Sequence, residues 1–213
     1  MTTTLRSDLA LISEWIKPGT HILDLGCGDG KLLAHLRDTR QVSGYGLEIK
    51  ESNLEQCVAA GINVIQMDLN DLQKGLCHFV HESFDYVVMT QAIQTIHHPD
   101  LLLAEILRIG RECIVTFPNF GHWTCRLSLA LKGKMPVSTT LPNPWYDTEN
   151  IHLCTLEDFE ELCDTKNIEV LQRAVVDPNH RTPFMMRLLP NLFGEIAVYR
   201  IRRKPGKVIP VTH

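Results

Sequence analysis

The sequence predicts an α/β fold in which helices cover both faces of a mostly parallel sheet, and three observations carry that prediction. Apolar runs of strand length alternate with amphipathic helical segments through the first half of the chain. The run Phe84 to Met89 (FDYVVM) is apolar apart from Asp85, as a strand buried on both faces requires. The run Ile22 to Leu25 leads straight into a glycine-rich turn and then a helix, the junction at which such sheets bind ligands.

The elements follow in order. A first helix is expected from about Ser7 to Lys17, with Leu5, Leu9, Ile12 and Ile16 on one face and Pro18-Gly19 ending it. After strand Ile22 to Leu25, the next helix turns Leu32, Leu33 and Leu36 inward. Val42 to Ile49 reads as the second strand, Ser52 to Ala60 as a helix stopped by Gly61, and Asn63 to Leu69 as the third strand. A helix is expected over Asp71 to His81. Beyond the Phe84 strand, Pro99-Asp100 opens an apolar helix ending at Gly110, and Cys113 to Phe117 is the fifth strand. Thr155 begins the last regular helix, with Asp158 placed to complete a capping box. Strands at Ile168 to Val176 and Glu195 to Arg202 have no helical crossover of ordinary length between them, so they are expected to pair antiparallel. The stretch between them is apolar, and Phe184, Met185, Met186, Leu188, Leu189 and Phe193 are expected in the core, with cover for the sheet edge or contact with a partner as the alternative.

Composition narrows the classes. With 213 residues, 44% apolar and 22% charged, the chain can bury a good core, and one domain spanning 1–213 is expected. No apolar run approaches membrane-span length and no secretory h-region is visible, so a cytoplasmic protein is expected. Seven scattered cysteines without a C-x-x-C pair read as buried reduced thiols, and His78 and His81 lack a third ligand, so no metal is expected. A net charge of −4 without a basic cluster outside Arg200 to Lys207 argues against a nucleic-acid partner.

The segment His21 to Lys31 (HILDLGCGDGK) carries most of the chemistry. A strand that stops at Asp24 and turns sharply needs residues free to take positive φ, which Gly26, Gly28 and Gly30 supply while letting a ligand lie against bare backbone. A dinucleotide fingerprint wants G-x-G-x-x-G, but here the position that should be small is Lys31, and a carboxylate at Asp24 repels a pyrophosphate. An ammonium group suits that carboxylate, and a ligand carboxylate suits the helix N-terminus. S-adenosylmethionine (SAM) carries both, and D-x-G-x-G-x-G resembles motif I of class I SAM-dependent methyltransferases. That resemblance implies a Rossmann-like seven-stranded sheet whose last strand is antiparallel.

Two further acids stand at successive strand ends. Glu48 is placed to accept both ribose hydroxyls, and Asp68 to accept from the adenine amine, with Met67 packing on the ring. Cys27 within the loop, Leu69 beside Asp68 and Gln91 past the fourth strand complete the expected cofactor shell. No N/D-P-P-Y/W motif follows the fourth strand, no Pro-Cys nucleophile is present, and His97 and His98 read as solvated residues before a helix. No catalytic residue is therefore assigned.

Residues 118–154 form a long aromatic and proline-rich insertion, a length that signals a lid, a pocket or an interface. His122, Trp123, Trp145, Tyr146, Asp147 and His152 are its candidate substrate or partner residues. LDLGCGDG, QAIQTIHHPDLLLAEILRIGR, TFPNFGHW and WYDTENIHLCT together resemble the MetW family of methionine biosynthesis proteins, over about Asp8 to Arg203. The resemblance implies a SAM or S-adenosylhomocysteine site and a homoserine O-acyltransferase, MetX, as partner. It leaves open the alternative that the chain methylates a small metabolite.

Overall fold

The computed structural model describes residues 6–71, 75–177 and 183–206. Seven strands form one sheet: β1 (His21–Leu25), β2 (Ser43–Glu48), β3 (Val64–Gln66), β4 (Phe84–Thr90), β5 (Gly110–Pro118), β6 (Ile168–Val176) and β7 (Ile196–Arg203). Their order is β3-β2-β1-β4-β5-β7-β6; the first five run parallel, and β7 lies antiparallel to both β5 and β6. The order reverses at β1, so the sheet has its switch point beside the glycine loop.

Alternation along the central strands builds two cores. Leu23, Leu25, Val87, Met89, Val115 and Phe117 point to one face, and Ile22, Tyr86, Val88 and Ile114 to the other. Helices α1 (Ser7–Trp15), α2 (Lys31–Arg40) and α3 (Glu51–Ala59) cover the second face. Helices α4 (Pro99–Ile109) and α6 (Leu156–Thr165) cover the first. On α4, Leu102, Leu103 and Ile106 are fully buried, each contributing about 2 kcal/mol of transfer free energy. Helix α6 starts on the capping box read from the sequence: the Thr155 hydroxyl accepts from the Asp158 N–H and the Asp158 carboxylate accepts from the Thr155 N–H.

Three expectations need correction. Of the helix expected over 71–81, residues 72–74 lie outside the described residues, and the rest makes only a 3₁₀ turn at Leu76–His78. Arg108 explains this locally, because its guanidinium donates to the Leu76 and Phe79 carbonyls and so holds the chain in a turn that buries Leu76. The third strand is shorter than expected, ending at Gln66, so Leu69 packs on the core from a turn. Most consequentially, the apolar stretch before β7 is not core. It forms two short helices, α7 (Pro183–Leu188) and α8 (Pro190–Phe193), with Phe184, Leu188 and Leu189 exposed and Met185, Met186 and Phe193 half-buried. Two prolines and only a few residues per helix leave no room for an inward stripe.

The thiols are mostly as expected: Cys27, Cys57, Cys113, Cys125 and Cys163 are buried, Cys154 is half-buried and Cys77 is exposed. Among the described residues, no helix is long and apolar enough to cross a membrane, and no group of His, Cys, Asp or Glu is placed to hold a metal.

Candidate functional site

The glycine loop leaves β1 at the C-terminal edge of the sheet. Gly26, Gly28 and Gly30 have φ of +68°, +56° and +74°, the left-handed values a side chain resists. The Gly26 and Cys27 N–H groups both donate to the Leu47 carbonyl at the end of β2, which clamps loop and strand together. That contact requires Gly46 in β2, where an added Cβ would run into the Cys27 sulfur. Gly30 caps α2 without a side chain of its own, and the Lys31 N–H donates to Asp29 Oδ1 at 3.3 Å, so the first-turn donors that remain for a ligand are the N–H groups that follow.

Asp24 is the electrostatic centre. Its side chain is buried, 1% exposed, and its Oδ1 has no hydrogen-bond partner among the described residues. Loss of water, reinforced by the nearby Glu48 charge and partly offset by Arg6, pushes the carboxyl from 3.8 up to about 7. A buried, orphaned carboxylate facing a cleft asks for a cationic donor. The cleft, about 990 Å³, is lined by Asp24, Gly26, Cys27, Gly28 and Lys31, and by Arg6, Leu9, Ser13 and His35 from α1, its N-cap and α2.

Glu48 is placed as expected but is more occupied. Its Oε2 accepts the Gly28 N–H at 2.9 Å, and its Oε1 accepts those of Ile49 and Lys50, both at 2.8 Å. With three of about four lone-pair positions used, it can take one hydroxyl directly, and a second only by releasing Gly28. Met67 is half-buried and Asp68 exposed; both line a neighbouring cleft with Gly75 and Phe79, and Asp68 Oδ1 already accepts the Asn70 N–H.

Gln91 does not line the cleft. It stands past β4 at φ +51°, its N–H on Thr116 and its side-chain amide donating to Asp8 Oδ2 at 3.2 Å. Asp8, fully buried, also pairs with Arg6 through both carboxylate oxygens at 3.1 and 2.9 Å. Gln91 therefore acts at one remove, through Asp8 on Arg6. The sequence reading missed Arg6 and Asp8, although an acid on the apolar face of α1, one turn before Ile12, was the available signal.

The aromatic candidates do not converge. His122 is buried with Nδ1 against the Thr124 hydroxyl, and desolvation lowers its pKa, holding it neutral. Trp123 is exposed at the start of α5 (Trp123–Leu127), which runs on as a π-helical turn, Ser128–Lys132. Trp145 and Tyr146 touch edge to face and are both largely exposed, as is Asp147. His152 is exposed, its Nε2 on the His97 carbonyl. The insertion nonetheless reaches the cleft's surroundings: Lys50 pairs with Glu149 at 2.9 Å, and the Ile151 and His152 N–H groups donate to the carbonyl of Gln94, whose amide donates to Gln91.

A parallel sheet with one reversed strand, a glycine loop at its switch point and acids at successive strand ends define the class I methyltransferase fold, and solved structures share it. A methyltransferase in complex with its Trm112 activator from Haloferax volcanii aligns over 93% of this chain and 90% of that one, with TM-score 0.66 and 15% identity. A SAM-dependent methyltransferase from Thermotoga maritima aligns over 93% and 88%, with TM-score 0.62 and 19% identity. The [4+2]-cyclase SpnF aligns over 93% and 81%, with TM-score 0.63 and 16% identity, so the fold alone does not specify methyl transfer. The family model for methionine biosynthesis protein MetW matches residues 6–201, and the chain belongs to that family. It is also 32% identical, over 94% of its length, to the bifunctional methionine biosynthesis protein MetXA/MetW of Rhodopirellula baltica, of which it spans 33%.

Proposed function

We propose that this chain is a SAM-binding subunit of methionine biosynthesis that supports or regulates a homoserine O-acyltransferase, with SAM or S-adenosylhomocysteine as its ligand. The observation that carries this reading is the relative in which a MetW-like part shares one polypeptide with MetXA. Fusion keeps two activities at high effective concentration, which favours parts that already work in contact. The loop chemistry supports the ligand: Asp24 would take the ammonium, Arg6 and the remaining N–H groups at the start of α2 the carboxylate, and Glu48 a ribose hydroxyl. SAM when bound supplies an activated methyl group, and the residues named here bind and orient without any of them being a base for an acceptor.

The test is homoserine acylation by the cognate acyltransferase with and without this protein, each with and without SAM. A change of turnover on adding the chain, modulated by SAM, is the expected result; no change under any condition overturns the reading. The second reading, methylation of a small metabolite, is favoured by fold neighbours described as methyltransferases. It predicts S-adenosylhomocysteine and a labelled product when methyl-labelled SAM is incubated with cell metabolites.

A further inference from the structure

Two segments leave the sheet at the same end, because Pro118 at the close of β5 pairs with Ile196 at the opening of β7. The insertion departs from one strand, and α7 and α8 lead into the other. Asn119 holds the two together, its amide donating to the carbonyls of Asn191 and Gly194 at 2.9 and 2.8 Å. Both segments expose large apolar side chains, among them Leu131 at 77%, Trp145 at 73% and Phe184 at 74%. Acids are absent from most of both segments: no Asp or Glu occurs between Glu112 and Asp147, or between Asp177 and Glu195, in a chain with 25 of them, and the insertion's two acids, Asp147 and Glu149, stand at its far end, where Glu149 pairs with Lys50. Arg126, Lys132, Lys134 and Arg187 supply the charge of this surface. An apolar surface whose charges are mostly cationic is complementary to a partner face that presents apolar side chains rimmed by carboxylates.

We infer that this acid-poor apolar surface is where the acyltransferase docks, an inference that rests on the partnership proposed above. Charge sign alone would also suit an anionic membrane, but two features favour a protein. The cations are fewer and more scattered than the basic clusters that hold a surface helix on lipid. The insertion also encloses a notch of about 100 Å³ lined by Phe120, Met135, Leu141, Trp145 and Leu153, a shape that takes a protruding side chain of a protein. Docking here places the partner against the segment that holds Glu149, Ile151 and His152, which contact Lys50 and Gln94 beside the cleft.

The experiment compares the full-length protein with Leu131→Glu and Phe184→Ser, singly and together, for affinity to the purified cognate acyltransferase and for its turnover. The thermal shift produced by S-adenosylhomocysteine serves as the check on folding. Expected is a loss of partner affinity of about ten-fold or more in the double variant, with the thermal shift kept. If the unmodified chain binds the acyltransferase and the double variant binds equally well, the docking surface is elsewhere and the partnership stands. If the unmodified chain neither binds nor alters the acyltransferase, the partnership itself falls and this inference with it. Sedimentation of the unmodified chain with phosphatidylglycerol vesicles, lost in the double variant, would assign the surface to a membrane and overturn the inference.

Discussion

Asp24 shows how one residue can be costly to the free protein and useful to the complex. Its carboxyl is raised to about 7 in the folded chain, so between the unfolded value and about 7 the folded state holds the extra proton. The stability associated with that proton is present at low pH and lost as pH rises through about 7. Asp24→Asn, which removes the buried charge, should therefore raise the melting temperature more at about pH 8 than at about pH 5, as thermal scans of the ligand-free protein would show. The same variant should weaken nucleoside binding by about 1–3 kcal/mol. In the unmodified protein, an ammonium ligand needs Asp24 ionised, so affinity should fall below about pH 7 and binding should release protons. Calorimetry in two buffers of different ionisation enthalpy measures that release; a proton count of zero, or one that survives Asp24→Asn, refutes the assigned role. Glu48 makes a different prediction. Because it also holds the Gly28 N–H, Glu48→Ala should loosen the loop as well as remove a hydroxyl acceptor, and binding should fall further than in Glu48→Gln.

Elements were legible where local chemistry decides them. The Thr155 and Asp158 box that starts α6 is a contact within four residues, and sequence spacing alone specifies it. Thr155→Ala should cost about 1 kcal/mol and lower the melting temperature by about 2–4 °C without altering ligand affinity, since α6 covers the sheet away from the loop. A ligand affinity that fell with stability would show that α6 couples to the cleft. Gly46 behaves oppositely: its neighbour in space is Cys27, not anything near in sequence. Gly46→Ala should displace the loop and weaken nucleoside binding while leaving β2 paired, a change visible in titrations. The turn at Leu76–His78 and the outward-facing stretch 183–193 depart from the sequence expectation for a related reason. Apolar content favours burial in both, but Arg108 holds 76–79 as a turn, and the irregularly spaced apolar residues of 183–193 find only partial cover past the sheet end.

At the scale of the whole molecule, the insertion and the cleft are joined by a chain of backbone and side-chain hydrogen bonds rather than by packing alone. The chain from Ile151 and His152 through Gln94 and Gln91 to Asp8 and Arg6 runs from the insertion to the rim of the cleft. The Lys50–Glu149 pair is exposed and contributes little by itself. Ligand ordering Arg6 and the Glu48 segment should therefore slow amide hydrogen exchange at 148–155 when S-adenosylhomocysteine is added. Unchanged exchange there would place any coupling between ligand and partner outside this route.

The sequence by itself determined the sheet, its parallel strands and reversed last strand, the glycine loop and the acids at the strand ends, because period, turn residues and capping are encoded within a few positions. Tertiary structure decided what those residues already do for the protein: that Glu48 spends three lone pairs on backbone, that Gln91 serves Asp8 and not the cleft, and that Arg6 lines it. It also decided that the apolar residues of the two segments at the Pro118–Ile196 end of the β5–β7 pair face outward. Hydrophobicity says that a side chain prefers burial, but only the position of the rest of the chain says whether a surface exists to bury it.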